Sequence, residues 1–172
     1  YNYIIVGAGS AGCTLAGRLT DDPNISVMLL EAGGRDWNPL IHIPIGMGKI
    51  HELGLHDWGY MSEPNEALNG RRLKVKRGKV LGGSSSINGM IFQRGNPMDY
   101  VKWGRIPGLE TWSYEHCLPY FKRMETCLGA GPDLNAYEGA ELRGNDGPLA
   151  MERGPAETSL FDAWLKAGEE AG

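Results

Sequence analysis

The sequence predicts an α/β fold that opens on a parallel strand–helix–strand unit, and three observations carry that reading. Residues 3–7, YIIVG, are a short apolar run of strand-forming residues ending in glycine. Gly7, Gly9 and Gly12 stand at G-x-G-x-x-G spacing, and a helical pattern begins among them. A second apolar run, ISVMLLEAGG (25–34), reads as a second buried strand ending at Glu31.

The elements follow in order. A helix is expected over residues 10–20, with Ser10 as N-cap and Cys13 packed inside, and DDPN (21–24) is a turn. Residues 33–70 have Gly and Pro punctuation and weak periodicity, so a long ordered loop is expected, of the kind that is usually functional. RRLKVKRGKV (71–80) holds a short strand, and LGGSSSINGM (81–90) is a second Gly/Ser cluster. NPMDYVKW (96–103) reads as a short helix. TWSYEHCLPYFKRMET (111–126) reads as a longer one, with Ser113 as N-cap, Glu115 in the first turn, and a kink or late start at Pro119. Residues 127–147 are loop-like and polar, and PLAMERG (148–154) is a strand candidate. TSLFDAWLKAGEEAG (158–172) is an amphipathic helix with Leu160, Phe161, Trp164, Leu165 and Ala171 near one face.

Composition narrows the function classes. The 172 residues are 41% hydrophobic and 22% charged, ordinary for a globular chain long enough for one domain and part of another. Its 26 glycines are about twice the ~7% usual share, which points to backbone packed closely around something. The net charge of −4 supplies no basic face for nucleic acid; the one basic run, Arg71 to Lys79, is broken by Leu73 and Val75 and reads as a solvated strand face, with a local anion contact as the alternative. Cys13, Cys117 and Cys127 are few, odd in number and without C-x-x-C spacing, so neither a disulfide framework nor a metal site is expected. A reduced, cytoplasmic setting fits, with peripheral membrane association left open. No apolar run reaches the ~18 residues of a transmembrane segment, and no signal peptide is visible. The first strand begins almost at residue 1, which leaves room for residues upstream.

The glycine turn has a specific chemistry. Gly7 permits the tight turn off the strand, Gly9 lets backbone approach a pyrophosphate, and Gly12 allows close helix–strand packing. The helix N-terminus presents N–H groups and a partial positive charge to phosphates. Glu31, 19 residues after Gly12, can accept hydrogen bonds from an adenosine ribose and disfavours a 2′-phosphate, so NADP is not expected. The turn alone does not separate FAD from NAD. The second cluster, GKVLGGSSSINGM, is not a plain surface linker, because apolar Val80, Leu81, Ile87, Met90 and Ile91 are interleaved with its glycines and serines. Asn88-Gly89 ends it with a polar side chain and a bare backbone suited to lining a site.

VGAGSAGCTLAGRL, LLEAGG, DWGYMSEPN, GRRLKVKRGKVLGGSSSINGMIFQRGNPMDY and WSYEHCLPYFKRMET together resemble the glucose–methanol–choline (GMC) oxidoreductases, in the family's order and over nearly the whole chain. The similarity is greatest to the family's bacterial choline dehydrogenase and alcohol dehydrogenase branch. It implies a Rossmann-like FAD-binding domain over 1–145, incomplete, with a long FAD-covering loop at 33–95, and the start of an α+β substrate-binding domain at 146–172. It implies FAD, with Gly7, Gly9, Ser10, Ala11 and Gly12 around the pyrophosphate and Glu31 and Ala32 at the adenosine ribose. Val80, Gly83 and Ser84 would meet the cofactor mainly by backbone, and Asn88, Gly89, Met90 and Ile91 would lie beside the isoalloxazine ring. Some relatives bind FAD covalently through a histidine just before the asparagine; Ile87 stands there, so FAD is expected to be non-covalent. Val101 departs from the acid that many relatives carry after GNPMDY.

The implied reaction is oxidation of a small-molecule alcohol to an aldehyde or ketone by hydride transfer to the flavin, with oxygen, a quinone or another carrier as electron acceptor. In the family the catalytic base is a histidine near the C-terminal end of a longer chain, paired with a second histidine or an asparagine. None of His42, His51, His56 and His116 occupies that place, so no catalytic residue is expected in this chain, and each histidine is read as surface or structurally satisfied. A nicotinamide-dependent dehydrogenase and a non-enzymatic dinucleotide-binding module are the remaining alternatives.

Overall fold

The computed structural model describes residues 1–128, 140–152 and 158–172. The chain divides into two compact units, Tyr1–Ile91 and Phe92–Gly172.

In the first unit β1 (Tyr3–Val6) leads into α1 (Ser10–Leu19) and then β2 (Val27–Leu30). β1 and β2 pair in parallel, with Tyr3 opposite Val27 and Val6 opposite Leu30, as the βαβ reading requires. The helix cap differs from expectation by one residue. Gly9 is the N-cap, extended at φ −78°, ψ −171°, and it makes no side-chain capping bond. Ser10 is already helical, so it contributes a backbone donor rather than a cap. The strands are less buried than their composition predicts: Ile5 is 8% exposed, but Ile4 is 63% and Val6 83%. An apolar parallel strand is buried when layers cover both faces, and among the described residues α1 is the helix that packs chiefly on the two-stranded pair. Cys13 is exposed rather than packed, although its thiol donates to the Ala8 carbonyl at 3.2 Å.

The long loop expected over 33–70 contains helices. Asn38 caps α2 (Pro39–His42) by accepting from the Leu40 N–H at 3.0 Å, with Pro39 in the first turn. α3 (Gly46–Leu53) follows and stops at Gly54, which is left-handed at φ 64°. β3 (Tyr60–Met61) and β4 (Lys74–Val75), the latter inside the basic run, form a short antiparallel ladder.

In the second unit α4 (Pro97–Gly104) is capped by Asn96. α5 (Tyr114–Met124) begins after Ser113 and carries Pro119 within it, so there is no late start. Tyr100 of α4 meets Phe121 of α5 edge-on, with ring centroids 5.5 Å apart. β5 (Glu125–Cys127) pairs in parallel with β6 (Leu149–Met151), which realises the strand candidate over its described residues. Of the predicted loop at 127–147, residues 129–139 lie outside the described residues, as do 153–154 of the strand candidate. Glu125 is fully buried at the start of β5. Its Oε1 accepts from Arg94 Nη2 at 2.7 Å, Arg143 Nε at 3.0 Å and the Gly144 N–H at 3.0 Å. α6 (Ser159–Ala171) is capped by Thr158, and its apolar stripe is exposed, Leu160 at 78% and Trp164 at 77%. Among the described residues no helix is long and apolar enough to cross a membrane, and no cluster of three metal-ligating side chains forms.

Candidate functional site

The site is built where the two glycine clusters meet. β1 ends at Val6, and the chain turns through Gly7 at φ +96°, whose N–H donates to the Leu30 carbonyl at 2.7 Å. Gly12 sets how near α1 comes to the strand: a Cβ there would overlap the Gly7 carbonyl oxygen and stand 3.3 Å from Ile5 Cγ2. The N–H groups of Ser10, Ala11 and Gly12 have no intrahelical partner. No acidic side chain in the first turn of α1 offsets their partial positive charge.

The second cluster seals this turn with backbone. Gly82 N–H donates to the Ala8 carbonyl at 2.7 Å, and Leu81 N–H donates to the Gly34 carbonyl at 2.9 Å. Val80 and Ala8 are fully buried at the junction. Gly83 is buried with φ +61°, and a Cβ on it would stand 2.8 Å from the Gly9 Cα, so only glycine fits without displacing the first turn. Residues 83–86 then form a 3₁₀ turn. Ser84 Oγ accepts from the Gly78 N–H at 3.0 Å, which ties the turn back to the preceding chain.

Glu31 follows β2 and points back at the turn. Its Oε2 accepts from the Ala8 N–H at 2.7 Å and its Oε1 from the Gly33 N–H at 2.8 Å. Each carboxylate oxygen has capacity for a further donor such as a hydroxyl. Ala32 is exposed beside it. Backbone donors at a helix N-terminus with an acceptor carboxylate one strand away suit a ligand that carries phosphate and a polyol.

The structure thus brings Gly7, Gly9, Ser10, Ala11, Gly12, Glu31, Val80 and Gly83 into one backbone-lined locus. Asn88, Gly89, Met90 and Ile91 run on from buried Ile87 and are exposed, Met90 at 57% and Ile91 at 88%. Asn88 Oδ1 accepts from the Met90 N–H at 2.9 Å, and Met90 is left-handed at φ 57°. Below this segment Ile43, Pro44, Met47, Ile50, Asn88 and Met90 border a cavity of about 30 Å³. That is room for one water, not for a flavin ring.

Each of the four histidines makes a hydrogen bond within the chain: His42 to the Asp36 carbonyl, His51 to the Ile87 carbonyl, His56 to Asn38 Nδ2 and His116 to Ser113 Oγ. Asp57 accepts from Lys76 at 3.0 Å and from the N–H groups of Arg77 and Gly59. Burial pushes its carboxyl up, but these donors outweigh burial, and the group titrates below its ordinary value. The contacts of Ala8 and His51 were not legible in the sequence. Ala8 acts only through its backbone, and His51 sits where the sequence shows no periodicity.

All 172 residues match the family model described as GMC oxidoreductase. The chain is 51% identical to an oxygen-dependent choline dehydrogenase of Staphylococcus xylosus, covering the whole of this chain and 30% of that protein. It superposes on pyridoxine 4-oxidase from Mesorbium loti with a TM-score of 0.81 and 32% identity, over 99% of this chain and 32% of that one. It superposes on an FAD-dependent oxidoreductase from Chaetomium thermophilum with a TM-score of 0.79 and 35% identity, over 100% of this chain and 30% of that one. The chain therefore spans about a third of the length of the proteins it matches.

Proposed function

The chain belongs to the GMC oxidoreductase family, and from that premise we propose that residues 1–145 form the FAD-binding part of an enzyme that oxidises a small alcohol to an aldehyde or ketone, with residues 146–172 opening its α+β substrate-binding domain. The observation that carries this reading is the backbone docking of Gly82 and Gly83 onto Ala8 and Gly9 at the N-terminus of α1. It leaves helix donors beside a carboxylate, with no side chain between the two glycine segments.

In this reading the Ser10 and Ala11 N–H groups take the pyrophosphate, and Glu31, with Ala32 beside it, takes the adenosine ribose. Val80, Gly83 and Ser84 approach the cofactor through backbone. Asn88, Gly89, Met90 and Ile91 lie beside the isoalloxazine ring, where the exposed Met90 and Ile91 side chains supply an apolar lining. FAD, when bound, supplies the acceptor for the hydride that leaves the alcohol carbon. The share of this chain is to bind and orient. Its four histidines each make a hydrogen bond within the chain, and in this reading the base that takes the hydroxyl proton comes from outside these residues. Attachment is non-covalent, because Ile87 has no nucleophilic atom and is only 3% exposed.

The 51% identity to an oxygen-dependent choline dehydrogenase supports choline or a similar small alcohol as substrate and oxygen as acceptor. A cytoplasmic setting belongs to the same proposal and is supported by the low, odd cysteine count. The test is the visible spectrum of the whole protein before and after acid precipitation. The proposal expects a flavin spectrum and yellow FAD released into the supernatant. Colour kept in the pellet overturns the non-covalent attachment, and a colourless whole protein that takes up no added FAD overturns the flavin reading.

A further inference from the structure

His51 lies outside the glycine clusters, yet its ring reaches the segment that leads from the second cluster to Met90. Nε2 stands 2.7 Å from the Ile87 carbonyl oxygen, across 36 residues of sequence. A carbonyl only accepts, so Nε2 carries the proton in this contact. The helix that presents the ring is fixed on both sides of it. Ile50 is 1% exposed, and the Lys76 ammonium donates to the His51 carbonyl at 3.2 Å while pairing with Asp57 at 3.0 Å.

The recipient segment needs such an anchor. Ile87 N–H reaches the Ser84 carbonyl only at 3.2 Å, and three residues later Met90 adopts a left-handed conformation that side chains other than glycine rarely hold. Between them the exposed Asn88 accepts from the Met90 N–H through its side-chain Oδ1. The His51 bond is the long-range contact that fixes the Ile87 carbonyl at the entrance to this strained turn.

We propose that His51 is a positioning residue for the flavin: by donating to the Ile87 carbonyl it holds Asn88, Gly89 and Met90 in the conformation that faces the isoalloxazine ring. This rests on the FAD reading above. Without the donor the carbonyl is released, the turn relaxes from its left-handed state, and the groups beside the ring move while the pyrophosphate turn stays in place.

The experiment compares wild type, His51→Leu, His51→Gln and Lys49→Ala in the whole protein. Glutamine keeps an N–H donor at a reach close to that of Nε2, and Lys49 is an exposed residue of the same helix. The readouts are the visible spectrum of the bound flavin, the FAD dissociation constant, and kcat and KM for the alcohol. His51→Leu is expected to shift the flavin bands, to weaken FAD binding about five- to tenfold, and to lower kcat with KM within about twofold. His51→Gln is expected to restore all three, and Lys49→Ala to leave them unchanged. If His51→Leu gives little folded protein, His51→Phe carries the same comparison with ring volume kept and the donor removed. A flavin spectrum and kcat unmoved in His51→Leu, or His51→Gln as impaired as His51→Leu, overturns the proposal while wild type still holds FAD. A wild type without flavin overturns the FAD reading itself, and this proposal with it.

Discussion

Gly12 is the point at which α1 touches β1, and replacing it with alanine tests whether that contact sets the cofactor site. The added Cβ would lie more than 1 Å inside the 3.0 Å separation that real Cβ atoms keep from the Gly7 carbonyl oxygen, with Ile5 Cγ2 behind it at 3.3 Å. Neither neighbour is the end of a flexible side chain, so α1 must back away from the strand. Overpacking of this kind costs about 1–3 kcal/mol, partly offset by the ~1 kcal/mol better helix propensity of alanine. The larger effect falls on binding, because the donors of Ser10 and Ala11 move with the helix. Hydrogen bonds from such groups to a charged phosphate contribute about 1.5–3 kcal/mol each, so misplacing one of them costs about that much, or roughly 10- to 150-fold in FAD affinity. The assay is titration of the deflavinated whole protein with FAD, followed by flavin fluorescence. Gly17, in the same helix, has open space where its Cβ would stand. Gly17→Ala is therefore expected to bind FAD normally and to be more stable by about 0.5–1 kcal/mol. Equal FAD affinity in Gly12→Ala and Gly17→Ala would refute the reasoning.

Two further outcomes follow from the charged groups. Glu125→Ala leaves the guanidinium of Arg94, itself 9% exposed, without its carboxylate; a loss of about 3–5 kcal/mol is expected, measured by urea denaturation. Asp57 has a depressed value in the folded state, so its contribution is present above its ordinary value of 3.8 and is lost as pH falls through the folded value. Asp57→Asn should be less stable than wild type at pH 7, and the gap should close on acidification below that ordinary value; a gap that stays constant with pH would show that the carboxylate charge is not what holds the Lys76 and Arg77 segment.

The parts of the fold that sequence made legible are those with local causes. A glycine-spaced turn between an apolar run and a helical pattern specifies its own backbone, and Gly7 to Gly12 with Glu31 fall where their spacing places them. The helices at 39–53 were hidden because Gly46, Gly48 and Gly54 suppress helical propensity. Their stability comes from the Asn38 cap and the burial of Ile50, and burial depends on the tertiary environment. The exposure of Ile4 and Val6 escaped prediction for a related reason: apolar composition reports a tendency to be covered, not whether a layer is there to cover it. The Glu125 network and the His51 bond join residues 18 to 36 positions apart and leave no periodic trace in the chain.

The most direct measurement is a crystal structure of the whole protein with its cofactor, read at the first turn of α1. The expected result is pyrophosphate oxygens within hydrogen-bond distance of the Ser10 and Ala11 N–H groups and ribose hydroxyls on Glu31. A cofactor bound elsewhere, with that turn facing only solvent, would contradict the assignment of the glycine junction as the FAD site.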